Sequence, residues 1–144
     1  MGIRKGWVGF DLDGTLAHDG EWKGPYHIGP PIPKMTHKVW EALNQGHDVR
    51  IFTARVCDLR GNEDVEKVRN VIQNYTKQHF GGRVFDVTNE KDYDMITCYD
   101  DRAKQVIPNT GMTLEEALKE LIQKAHRIGY RAAVQQMAQL LREK

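Results

Sequence analysis

Asp11 and Asp13 stand two residues apart in the run GWVGFDLDGTLA (residues 6–17), directly after the apolar stretch Trp7, Val8 and Phe10. At about 4 Å and an effective dielectric of about 20, two ionised carboxylates repel by about 4 kcal/mol. A fold keeps such a pair when a cation sits between them, or when one carboxyl holds its proton for acid–base work. Gly14 permits a sharp turn and a close backbone approach to a ligand, and Thr15 adds a hydroxyl and an amide. Taken alone, D-x-D-G is equally the pattern of an Asx turn capping a loop. Two further apolar runs also end on polar residues: VRIF on Thr53, and MITCY on Asp100-Asp101. Lys91 stands in the charged loop before the second of these. Several carboxylates with one Lys and one Thr make the inventory for moving a phosphoryl group. Carboxylates suit Mg²⁺, and Lys and Thr take the remaining phosphate charge.

Strands must bring these ends together. The apolar runs predict strands at residues 7–10, 48–53, 83–87 and 95–99, with a fifth at Val106-Ile107. Helices are expected from Thr36 to Gln45, stopped by Gly46, and from the GNED segment onward, where Asn62 can cap a stripe of Val65, Val68, Val71, Ile72 and Tyr75. Leu114, Ala117, Leu118, Leu121 and Ile122 mark another helix. Gly129 interrupts the pattern, which resumes from Tyr130 to the end. Between strand and first helix, residues 17–35 carry Pro30, Pro31 and Pro33, which oppose regular structure. They read as an ordered loop or flap holding Trp22 and Tyr26, either as an apolar lip for a ligand or as simple loop packing. Strands alternating with helices imply an α/β fold, a doubly wound parallel sheet of about five strands with helices on both faces. Ligands of such sheets bind beyond the carboxyl ends of the strands, where the polar residues lie.

A length of 144 residues suits one domain, with a core over about 6–124 and a helical extension over about 125–144. The net charge of +1 gives no single-sign field to grip nucleic acid, which leaves a nucleic-acid end as a possible substrate only. Cys57 and Cys98 make no disulfide framework, and there is no apolar signal region or spanning segment, so a cytoplasmic location and no membrane partner are expected. His18, His27, His37 and His47 lack metal-ligand spacing and read as surface positions. The stripe of the last helix is core or a homodimer contact.

On these residues the chain resembles the haloacid dehalogenase superfamily of phosphohydrolases. DLDGT matches the superfamily's D-x-D-x-T motif, Thr53 its second motif, Lys91 its third and Asp100-Asp101 its acidic fourth, in the right order over roughly residues 6–110. The stretches RIFTAR, TNEKDY, DDRA and IPNTG are also similar to small members from phage and bacterial genomes. The resemblance implies a Rossmann-like fold and a Mg²⁺-dependent phosphatase, with Asp11 as nucleophile forming an aspartyl-phosphate. Asp13 would act as general acid and then base, holding a proton more readily than a free Asp and lending its backbone carbonyl to the metal. Asp100 and Asp101 would hold the metal with Asp11, in shares the sequence leaves open. Thr53, Ala54 and the backbone of Leu12 to Gly14 would cradle phosphate, and Lys91 would steady both phosphate and Asp11. Arg55 and Arg102 would either contact substrate or pair with nearby carboxylates. The intervals where such enzymes carry a cap domain are short here, so an open cleft and a phosphorylated substrate of large size are expected. A phosphotransferase with a non-water acceptor and a noncatalytic phosphate-binding domain are the alternatives.

Overall fold

A computed structural model of the protein describes residues 6–57 and 64–142. The chain divides between Asp101 and Arg102 into two compact units. The first is built on four parallel strands, β1 (Trp7–Phe10), β2 (Asp48–Phe52), β3 (Asp86–Thr88) and β4 (Met95–Tyr99), in the order β3-β2-β1-β4. This is the expected α/β class with a Rossmann-like parallel sheet, but with four strands rather than five. Val106 makes only an isolated antiparallel bridge to Thr113, and Pro108 with the positive-φ Asn109 ends that extended piece at once. Strand β3 also lies later than expected, because only Asp86–Thr88 reach the partners Arg50–Phe52 of β2.

Helix α1 spans Pro33–Asn44 and α2 spans Val65–His79. Helix α1 begins before the expected Thr36, because Pro33 occupies the first helical turn, where a missing N–H costs no hydrogen bond. The cap expected at Asn62 lies outside the described residues; Asp64 caps α2, accepting from the Lys67 amide at 3.1 Å. Alternation along the strands sends Val8, Phe10, Val49, Ile51 and Val87 to one face, where they pack with Val39 and Ala42 of α1 and Val68, Ile72 and Tyr75 of α2. Each such large apolar side chain contributes about 1.5–3 kcal/mol by leaving water. Tyr75 is 7% exposed and its hydroxyl has no hydrogen-bond partner among the described residues. Burial, with the charge of Asp13, pushes that phenol up to about 12. Tyr75→Phe is therefore expected to leave stability unchanged or raise it by up to about 1 kcal/mol in a urea titration.

The other face of the sheet carries Trp7 and Arg50. Residues 89–94 cross it, linking β3 at one edge to β4 at the other without a helix. Asp92 anchors this crossing by accepting from the Trp7 indole at 2.7 Å and from Arg50 at 3.1 Å. The pairing of β1 with β4 contains an irregularity between Trp7 and Val8. Trp7 faces Met95 but Val8 faces Thr97, so Ile96 is an extra residue on β4. In an unshifted register Phe10 would face Cys98. With the shift, Phe10 faces Tyr99, stacked at 4.8 Å, and the next residues in line are Asp11 and Asp100.

The second unit contains α3 (Leu114–Ile128) and α4 (Tyr130–Arg142), which pack against each other. Thr113 and Glu116 form a capping box at the start of α3. This unit begins at Arg102 and includes α3 as well as α4. A cavity of about 330 Å³ within this unit has a largely apolar wall of Ile107, Met112, Leu121 and Leu140. Among the described residues no helix is long and apolar enough to cross a membrane.

Candidate active site

Asp11 follows β1, Thr53 follows β2 and Asp100-Asp101 follow β4, so the parallel sheet carries all of them at one edge. The Asp11 amide donates to Tyr99 O at 2.9 Å, which extends the β1–β4 ladder to the aspartates themselves. Carboxylate oxygens of Asp11, Asp100 and Asp101 lie within 4.8 Å of one another. Thr15 locks the third of these in place: its hydroxyl accepts from the Asp101 amide at 3.0 Å and lies 3.5 Å from the Asp101 carboxylate. Gly14, at φ 79°, passes so close that a Cβ there would stand 2.8 Å from Asp101 Oδ2. Any other residue at position 14 would be strained and would push the carboxylate aside.

The electrostatics follow from this crowding. Burial pushes the Asp11 carboxyl up to about 7, and the charges of Asp100 and Asp101 add to it, against the opposing effect of the Leu12 amide. The Cys98 thiol beside them rises to about 11, chiefly by burial, then by the charges of Asp100 and Asp11, with Lys91 opposing. Three oxygen-bearing side chains this close together fit a hard divalent ion, which would relieve the repulsion.

Asp13 does not join this cluster. The repulsion anticipated between Asp11 and Asp13 is avoided because Asp13 turns to Arg55. The two make a forked ion pair, Nε to Oδ2 at 2.7 Å and Nη2 to Oδ1 at 2.6 Å. Its carboxylate is thus not one of the grouped metal-ligand candidates; the metal role expected of Asp13 falls to its backbone carbonyl, on which this grouping of side-chain oxygens does not bear. Of the two roles open to Arg55, pairing with a carboxylate is the one observed.

Thr53 is buried at the end of β2. Its hydroxyl accepts from the Arg55 amide at 3.3 Å and caps a single 3-10 turn, Ala54–Val56. Ala54 and Arg55 are therefore held by that turn. The Gly14 amide donates to Ala17 O at 2.9 Å and so is already committed, while the Leu12 amide serves the Asp11 carboxylate. Lys91 lies exposed in the 89–94 crossing and forms no ion pair with Asp11. Its charge reaches Cys98. The contribution of Thr15 to Asp101 was missed from sequence, although Thr15, the fourth residue after Asp11 in DLDGT, carried the signal.

Residues 18–30 form a closed loop beside Asp13. Its neck is fastened by His18 N to Pro30 O and Ile32 N to Leu16 O, both at 2.8 Å, and by the bridge between Ala17 and Pro31. With Asp13 and Arg55 it bounds a cleft of about 170 Å³. Neither this loop nor the 89–94 crossing contains a helix or strand, so no cap domain is inserted at either place.

No family model and no curated protein matches the chain. Among solved structures it is similar to a conserved protein from Bacteroides thetaiotaomicron, at 15% identity and a TM-score of 0.46, covering 83% of this chain and 91% of that one.

Proposed function

We propose that the protein is a Mg²⁺-dependent phosphatase of the haloacid dehalogenase type, hydrolysing a phosphate monoester through an aspartyl-phosphate on Asp11. The observation that supports this most is the division of labour among four aspartates. Asp11, Asp100 and Asp101 crowd together, while Asp13, two residues from the nucleophile, is held apart on its own cation.

In this reading Asp11, Asp100 and Asp101 hold the metal, which when bound neutralises phosphate charge. A carboxylate oxygen of Asp11 attacks phosphorus, and the bond to the leaving oxygen breaks. Asp13 gives that oxygen a proton. It then takes a proton from water, whose oxygen attacks phosphorus and releases Asp11. Thr53 stands at the next strand end to hold a phosphate oxygen, and Lys91 would have to swing from its exposed loop to join it. With no cap domain inserted in the 18–30 loop or the 89–94 crossing, this reading favours a phosphate carried on a large molecule.

The test is hydrolysis of 4-nitrophenyl phosphate in Mg²⁺ and in EDTA. Turnover in Mg²⁺ that falls at least about a hundredfold in EDTA is the expected result. Equal rates in both would overturn the metal-dependent reading. A folded protein that binds Mg²⁺ but turns over no ester would favour a binding domain.

A further inference from the structure

We propose that Arg55 is the positioning residue of the general acid, fixing the Asp13 carboxyl and pinning the 18–30 loop to it as one unit. The proposal rests on the phosphatase reading above.

Arg55 has five N–H donors. Nε and Nη2 are spent on the two Asp13 oxygens, and Nη1 donates to Pro25 O and His27 O, each at 2.8 Å. The Arg55 side chain is 8% exposed and that of Asp13 25%. A guanidinium so committed has little left for a substrate phosphate, so its work is on its neighbours. The fork fixes the plane of the Asp13 carboxyl. Each of its oxygens keeps a further lone pair, directed away from the guanidinium, for a proton or a water. Only a planar fork does this; a lysine ammonium is a point charge and leaves the carboxyl free to rotate.

The same side chain is a peg through the loop. The neck at 16–18 and 30–32 closes its two ends, where a Cβ on Gly29 would stand 2.1 Å from His18 O. Arg55 holds its middle by two carbonyls and lies 5.1 Å from the Trp22 ring centre. Asp13 is itself bridged to Ala17 at the neck. Anything that shifts the loop therefore shifts the acid.

The experiment compares kcat/KM of wild type and Arg55→Lys, in Mg²⁺, for phenyl phosphate and 4-nitrophenyl phosphate. That ratio reports the steps up to departure of the phenol, and the unsubstituted phenolate needs a proton far more than the nitrated one. Of the roughly 10²–10⁴-fold that a general acid supplies, the variant should lose at least about tenfold more on phenyl phosphate than on the nitrated ester. Asp13→Asn should show the same selectivity. Arg55→Gln, which retains an amide donor, replaces the lysine variant if that does not fold. Cleavage by trypsin after Lys23, followed by mass spectrometry, should be at least about fivefold faster in the Arg55 variant than in wild type.

Parallel losses on the two esters, or unchanged cleavage at Lys23, would overturn the proposal while leaving the phosphatase standing. A wild type inert toward both esters would overturn the phosphatase and the positioning role with it.

Discussion

Asp11→Asn should abolish turnover of aryl phosphates and yet make the metal-free protein more stable above pH 7. The loss of rate follows from the nucleophile's role. An amide oxygen cannot form the aspartyl-phosphate, and removal of a covalent nucleophile costs about 10⁴-fold or more. The gain in stability follows from the crowding. Burial and two neighbouring carboxylates raise the Asp11 carboxyl from 3.8 to about 7. Well below the unfolded value of 3.8 it is protonated in folded and unfolded chains alike, and the stability it contributes is fully present. As pH rises toward 7 the unfolded chain ionises freely while the folded one resists, so that stability is lost, and the loss is complete above pH 7. For a half-buried group, with solvent screening allowed for, this is worth about 1–2 kcal/mol. In a chain of this size that is about 3–6 °C in Tm. Thermal melts in EDTA at pH 4, 6 and 8 would show wild type falling relative to Asp11→Asn over this window. Mg²⁺ should restore the wild type at pH 8 and do less for the variant. Parallel pH profiles for the two proteins would refute the crowded-carboxylate account.

Asp13→Asn should behave in the opposite way. Its carboxylate lies outside the metal-ligand group, so Mg²⁺ affinity measured by calorimetry should stay within about threefold of wild type. Stability should fall by about 1–3 kcal/mol, because the buried Arg55 guanidinium loses its charged, forked partner. The rate on a phosphate ester with a basic leaving group should fall by about 10²–10⁴-fold. A large loss of Mg²⁺ affinity in Asp13→Asn would put the Asp13 carboxylate in the metal site and break the division between the three clustered aspartates and Asp13.

Much of this was legible in the residues. Asp11, Thr53 and Asp100-Asp101 each terminate an apolar run, and a parallel sheet must carry such ends to one edge. Strand β4 was located to the residue because its apolar run stops at an aspartate pair. The closed 18–30 loop was foreshadowed by Pro30 and Pro31. Local signals misled where a neighbour decides the outcome. Val106-Ile107 has strand propensity, but among the described residues Val106 finds only an isolated bridge to Thr113. Pro33 reads as a breaker until the chain is seen to enter a helix there.

Order of residue types along the chain, and the periodicity of the apolar ones, determined the α/β class, the strand ends and the candidates for chemistry. Which carboxylates meet was decided only in three dimensions. The single extra residue Ile96 sets the β1–β4 register, and that register puts Asp100 opposite Asp11. Arg55 lies 42 residues from Asp13, yet pairs with its carboxylate. Charge pairing acts over a few ångströms of space and is blind to separation along the chain, so no reading of spacing could assign that partner.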